Sequence, residues 1–139
     1  MEAGFIDLNH EDFDPQLYIQ VLIAVAKADK DNGPREFRYI KTRAHRLGID
    51  FDEVWSGTDK TFVFSGGKVS RLTAMHIIKD CIVLASMDKN FSLAEREKIY
   101  TYAAKLDIPR SNVDSIVEWL NDYSLLEEKW NKLVSGDLV

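Results

Sequence analysis

Cysteine, proline, glycine and histidine are all scarce in this 139-residue chain: one Cys, three Pro, seven Gly and three His. A lone Cys81 excludes an internal disulfide. His10, His45 and His76 have no metal-ligand spacing, and Cys81 sits in an apolar helical pattern, so zinc frameworks and thiol chemistry find no support. So little Gly and Pro excludes collagen-like and low-complexity chains. Long apolar runs are missing too. The strongest, 21–26 and 81–85, fall far short of the roughly 20 residues that span a bilayer, so no membrane partner is expected. Positive charge is in the minority, with 18 Lys and Arg against 23 Asp and Glu and a net charge of −5, which argues against a general binder of phosphate backbones. The opening Met1-Glu2-Ala3-Gly4 lacks the basic start of a secretory leader, and the expected location is cytoplasmic. What is present is an ordinary 45% of hydrophobic residues. At this length a chain buries roughly 70% of its unfolded surface, so one domain can fold without metal or disulfide.

The chain contains an internal repeat. Displacing residues 18–54 by 59 positions lays them without a gap on 77–113, and 12 of the 37 pairs are identical. Ile23/Ile82, Asp29/Asp88, Glu36/Glu95, Ile40/Ile99, Leu47/Leu106 and Ile49/Ile108 are among them. Such self-similarity constrains architecture more firmly than local propensity does.

Each unit reads as two helices joined by a polar turn, followed by a third helical start. Asp14-Pro15 is a cap and first-turn pair for a helix running to about Lys30. Its apolar residues point in nearly every direction around the axis, as do those of its counterpart from Ile77 to Met87, which predicts two buried central helices. The second helix of each unit is amphipathic. Phe37, Ile40, Ala44 and Leu47 share one arc, with Arg35, Arg38, Lys41, Arg43 and Arg46 on the other side. Gly48 ends it, while Ser92-Leu93-Ala94-Glu95 forms a capping box for the later copy. Ser111 with Asp114 is expected to open a last helix in which Ile116, Leu120, Leu126, Trp130 and Leu133 recur at helical spacing up to about Val134.

The expected fold is therefore all-α: a single globular helical domain over 1–139, built from two repeated helical units with two buried central helices. Repeat one covers about 15–55, a connector with a short alternating run at 61–64 covers about 56–69, repeat two covers about 70–114, and the final helix continues beyond it.

Two units of the form Ala28-Asp29-Lys30…Glu36…Leu47-Gly48-Ile49 and Met87-Asp88-Lys89…Glu95…Leu106-Asp107-Ile108 resemble the tellurite-resistance TerB-like family. The likeness extends over most of the chain. Lys30 and Lys89 stand where that family usually has Gly, and Asp31-Asn32-Gly33 replaces its smoother link. The resemblance implies an all-helical, internally two-fold domain of bacterial stress and tellurite-resistance systems without established catalysis. It also implies acidic inter-helix positions that are candidate ligands for a divalent cation.

The oxygen-bearing residues of those links are Asp29, Asp31, Asn32 and Glu36 in the first unit and Asp88, Asn90 and Glu95 in the second. Converging oxygens suit calcium or magnesium, bound weakly, and no cofactor is required for folding. The competing reading is capping, because Glu36 and Glu95 each fall three residues after a plausible cap. An EF-hand fits poorly, since Pro34 and Ile40 occupy its glycine and glutamate positions counted from Asp29. Ser65-Gly66-Gly67-Lys68 lacks the phosphate-loop spacing.

The aromatics Trp55, Phe62, Phe64, Trp119, Tyr123 and Trp130 are expected in the core, with Trp130 the one whose exposure would mark a contact surface. No nucleophile, base and orienting group recur at recognisable spacing, so an enzyme is not expected. The leading expectation is a non-enzymatic interaction module of a bacterial stress-response or tellurite-resistance-like system, with another protein as partner. The alternatives are an adaptor for nucleic acid or an acidic partner through the basic helix face, and an enzyme of unrecognised class.

Overall fold

The computed structural model describes residues 11–28, 33–62, 69–87 and 92–136. Among these described residues six helices and no strand occur, in the order α1 (Pro15–Ala28), α2 (Pro34–Arg46), α3 (Phe51–Gly57), α4 (Arg71–Ser86), α5 (Leu93–Lys105) and α6 (Arg110–Ser135). The protein is all-α. The alternating run at 61–64 does not form a strand as far as Phe62, and its remainder lies outside the described residues.

Local signals start and stop these helices. The Asp14 carboxylate accepts from the Leu17 amide at 3.1 Å, with Pro15 in the first turn, where its missing N–H costs nothing. Ser92 and Glu95 form the reciprocal capping box at α5. At α2 only half of that device exists: Glu36 Oε2 accepts from the Gly33 amide at 2.8 Å, and glycine has no side chain with which to reciprocate. Helix α6 departs from expectation. Its N-cap is Pro109, without a side-chain cap, and Ser111 already lies inside the helix. Asp114 instead accepts hydrogen bonds from the Tyr100 hydroxyl and Arg96, tying α5 to α6.

Helices α1 and α4 lie against each other at the centre, α2 and α3 pack on α1, α5 packs on α4, and α6 packs on α4 and α5. The contact is aliphatic. Ile19, Leu22 and Ile23 of α1 and Ile77, Ile78 and Ile82 of α4 belong to one continuous core, closed by Ile40 and Ala44 on one side and Ile99 and Ala103 on the other. Truncating one such isoleucine to alanine removes about 2–5 kcal/mol, lost transfer energy and residual cavity together. Phe37, Phe51 and Trp55 form an aromatic group that joins α2 to α3. Lys27 Nζ reaches over the Trp55 ring and donates to the backbone carbonyls of Trp55 and Thr58, closing the C-terminal end of α3.

The last element is unlike the others. Val113, Ile116 and Leu120 bury the first half of α6, whereas Leu125, Leu126, Trp130, Leu133 and Val134 in its second half are exposed.

Candidate interaction surface and the buried polar cluster beside it

Helices α4 and α6 enclose an apolar groove of about 530 Å³. Arg71, Met75, His76 and Lys79 line it from α4, and Asn112, Ser115, Ile116 and Trp119 from α6. The α6 residues among them are spaced at three and four, so they share one face of the helix. That face continues beyond the groove through Tyr123, Leu126, Trp130 and Leu133. Trp119 is 44% exposed, Leu126 66% and Trp130 63%. Large apolar side chains are thus exposed in a row along one face of α6. Of the expected core aromatics, Trp55 and Phe62 pack against the core, while Trp119 and Trp130 do not. Both tryptophans obey helical periodicity, but α6 outruns the other described helices, and among the described residues nothing buries Trp130. Phe64 lies outside the described residues.

Lys79 belongs to the groove and also to a cluster of charged and polar side chains inside the core. At its centre is Asp80, with 0% exposure. Tyr18 of α1 donates its hydroxyl to Asp80 Oδ2, and Tyr39 of α2 donates to Oδ1 at 2.6 Å. Arg43 Nη2 donates to the Tyr39 oxygen at 2.9 Å and stands 3.9 Å from Asp80 Oδ1, while Lys79 Nζ is 3.8 Å from the same oxygen. A buried carboxylate is tolerated when its lone pairs are occupied and opposite charge is near, and both conditions hold here.

The electrostatics follow from burial. The Tyr18 and Tyr39 hydroxyls are pushed well above the ordinary tyrosine pKa, first by desolvation and then by the neighbouring Asp80 charge. Burial works against the Arg43 cation, yet Asp80 and the two tyrosines carry its pKa above the usual arginine value. Desolvation lowers Lys79 to about 8 despite the attraction of Asp80. It lowers His76 to about 4, with the Lys79 charge acting in the same direction. Cys81 is buried, and desolvation raises its thiol, in keeping with a core residue rather than a nucleophile.

Arg43 is therefore a correction to the basic outer face. It is only 4% exposed and points inward to Asp80. Arg35 donates from Nη1 to the Met87 carbonyl at 3.1 Å, and Arg38 donates back to Pro34. The cations of α2 thus divide among core pairing, contacts to backbone carbonyls and solvent, rather than forming one uniform stripe.

Among the seven candidate cation ligands, Asp29, Asp31, Asn32, Asp88 and Asn90 lie outside the described residues. Glu36 and Glu95 are described, and the carboxylate of each accepts from the N-cap amide, Gly33 at 2.8 Å and Ser92 at 3.5 Å. Glu95 also accepts from the Ser92 hydroxyl at 3.0 Å. Both glutamates thus perform the capping role their spacing implied.

The cluster around Asp80 was not evident from periodicity alone, although two signals pointed toward it. Lys79-Asp80 interrupts an otherwise apolar helix, and Tyr39 and Arg43 are four apart on the next helix of the first unit. The repeat gave a third: at the offset of 59, Asp80 falls on Val21 and Arg43 on Tyr102.

Comparison of the chain with protein-family models, with curated proteins and with solved structures returns no match.

Proposed function

We propose that this protein is a helical interaction module whose working surface is the α4–α6 groove and the apolar face of α6 that prolongs it. The observation carrying this reading is that face itself: Trp119, Leu126, Trp130 and Leu133 are exposed side by side on an ordered helix. Tryptophan at the centre of an apolar patch is the residue type that most often dominates a protein interface. The helix also gains from being covered, because a solitary turn sequence of this length is marginal in water without tertiary support.

The reading extends to the TerB-like resemblance, with the two helical units related by an approximate two-fold and the protein serving a bacterial stress-response or tellurite-resistance-like system. Support for the two-fold comes from the element bounds, since α2 and α5 have 13 residues each and start at Pro34 and Leu93, separated by the repeat offset. It comes also from the turns that follow them. The Ile49 amide donates to the Ala44 carbonyl at 2.9 Å, and the Ile108 amide donates to the Ala103 carbonyl at 2.8 Å.

Photocrosslinking tests the interaction reading. A benzophenone amino acid in place of Trp130, in host cells, is expected to yield a discrete protein adduct that the same probe at Lys41 on α2 does not yield. Equal, diffuse labelling at both positions would overturn it.

A further inference from the structure

We propose that the occupant of this surface is a second copy of the same chain, bound through an antiparallel pairing of the two α6 helices. The proposal rests on the interaction reading above and names its partner. Along α6, Ile116, Trp119, Tyr123, Leu126, Trp130 and Leu133 alternate at spacings of three and four. Their period of 3.5 is that of a two-helix coiled-coil seam, with Ile116 buried and Tyr123 half-buried against their own core and the other four exposed. The helix runs about 22 Å past Leu120, at ~1.5 Å per residue. Another helix of the same kind can therefore lie along it.

Charge selects the orientation. In an antiparallel pair with Ile116 opposite Leu133 of the second copy, Trp119 faces Trp130 and Tyr123 faces Leu126. The residues flanking this seam are then Asp122 of one copy and Lys129 of the other, and symmetry makes the pair twice. Sliding the pairing by one heptad sets Lys129 against Lys129 and Glu127 against Glu127. A parallel pair sets Asp122 against Glu127 on both edges. Only the first arrangement brings opposite charges together, and flanking charges fix register and orientation in such pairs.

The groove completes the fit. Ile116 and Trp119 form part of its α6 wall, with Met75 and His76 across from them on α4. In the charge-matched register, Leu133 and Trp130 of the second copy arrive at this same place. The apolar end of each α6, which nothing covers among the described residues of its own chain, fills the groove of the other, and the two globular bodies lie at opposite ends of the pair. The contact is isologous, so it closes at two copies and leaves no surface for a filament.

Sedimentation equilibrium of the full chain, from micromolar to hundreds of micromolar, tests this. The expected result is a concentration-dependent doubling of mass. Trp130→Glu and Leu126→Glu should each give the monomer mass at every concentration with an unchanged far-UV spectrum, since both side chains are exposed in the single chain. Asp122→Lys and Lys129→Asp should each weaken association by about tenfold or more, and the double swap should restore it. A single monomer mass throughout would overturn the proposal. So would a dimer indifferent to Trp130→Glu, which would place the contact elsewhere, or a double swap that fails to restore association, which would refute the register. If the purified chain stays monomeric while the probe at position 130 captures a different protein in cells, self-pairing fails and the interaction reading survives. If the position 130 probe also captures nothing, both fail.

Discussion

Helices α2 and α5 occupy equivalent places in the internal repeat, have the same length and end in turns with the same hydrogen bonds, yet one carries charge into the core and the other does not. On α2, Tyr39 and Arg43 reach Asp80. The corresponding residues of α5 are Lys98, which is exposed, and Tyr102, which is half-buried. On the central helices the contrast reverses: α4 supplies the buried Asp80, whereas α1 has Val21 at the matching position, equally buried. What repeats is the apparatus that shapes the backbone, namely the aliphatic seam, the Glu at the third helical position and the closing turn. What differs is the chemistry placed between α1, α2 and α4. An apolar solution suffices on one side, so the polar cluster is an addition to this fold rather than a requirement of it.

The largest expected effect comes from making the two sides alike. Asp80→Val installs the residue found at the matching position of α1 but leaves Arg43 and Lys79 without their carboxylate. Breaking one partner of a buried pair costs about 3–5 kcal/mol, and a urea unfolding midpoint should fall accordingly. Adding Arg43→Met to Asp80→Val removes one stranded cation and should recover a substantial part of the loss. A double variant no more stable than Asp80→Val would mean that Arg43 does not depend on Asp80.

Acid should separate the two sides next. His76 lies beside the cluster, and its counterpart on α1 is Leu17. Its folded pKa, about 4, is below the ordinary 6.5, so between these values the unfolded chain binds the proton more readily. The His76 contribution is therefore fully present above pH 6.5 and is lost as pH falls through 4. Subtracting the stability profile of His76→Leu from that of the native chain should leave a difference confined to this window. A flat difference would show that His76 is not held neutral by the fold.

The smallest effects sharpen the comparison at the turns. Gly48 after α2 and Asp107 after α5 both adopt the left-handed conformation, with φ of 70° and 58°. This position closes a Schellman turn, where glycine carries no steric penalty and aspartate carries some. Nothing stands within 4 Å of a Cβ added at Gly48, so backbone strain alone sets the cost of Gly48→Ala, about 1 kcal/mol. Asp107→Gly should act in the opposite direction and raise the melting temperature slightly. The same sign for both would show that the turns are not equivalent.

Much of this molecule was legible in its sequence. The buried character of α1 and α4, the caps at Asp14 and Ser92 and the stop at Gly48 are short-range consequences of side-chain shape, periodicity and hydrogen bonding. Such effects act within a few residues, so the order of residues suffices to express them. The same reasoning placed Arg43 on an outer face, because the wheel of α2 gives the angle of a side chain but not what stands opposite it. It grouped Trp130 with the core aromatics while marking it as the one whose exposure would signal a contact surface, because periodicity alone cannot tell which part of a helix finds a neighbour. The meeting of Tyr18, Tyr39, Arg43 and Asp80 required three helices to be brought together, and desolvation then shifted their protonation, an energy that depends on surroundings rather than on residue type. The sequence by itself determined the helices, the caps of α1 and α5 and the apolar faces, though not the start of α6. Only the tertiary structure decided which of those faces found a neighbour and which, at the end of α6, was left exposed.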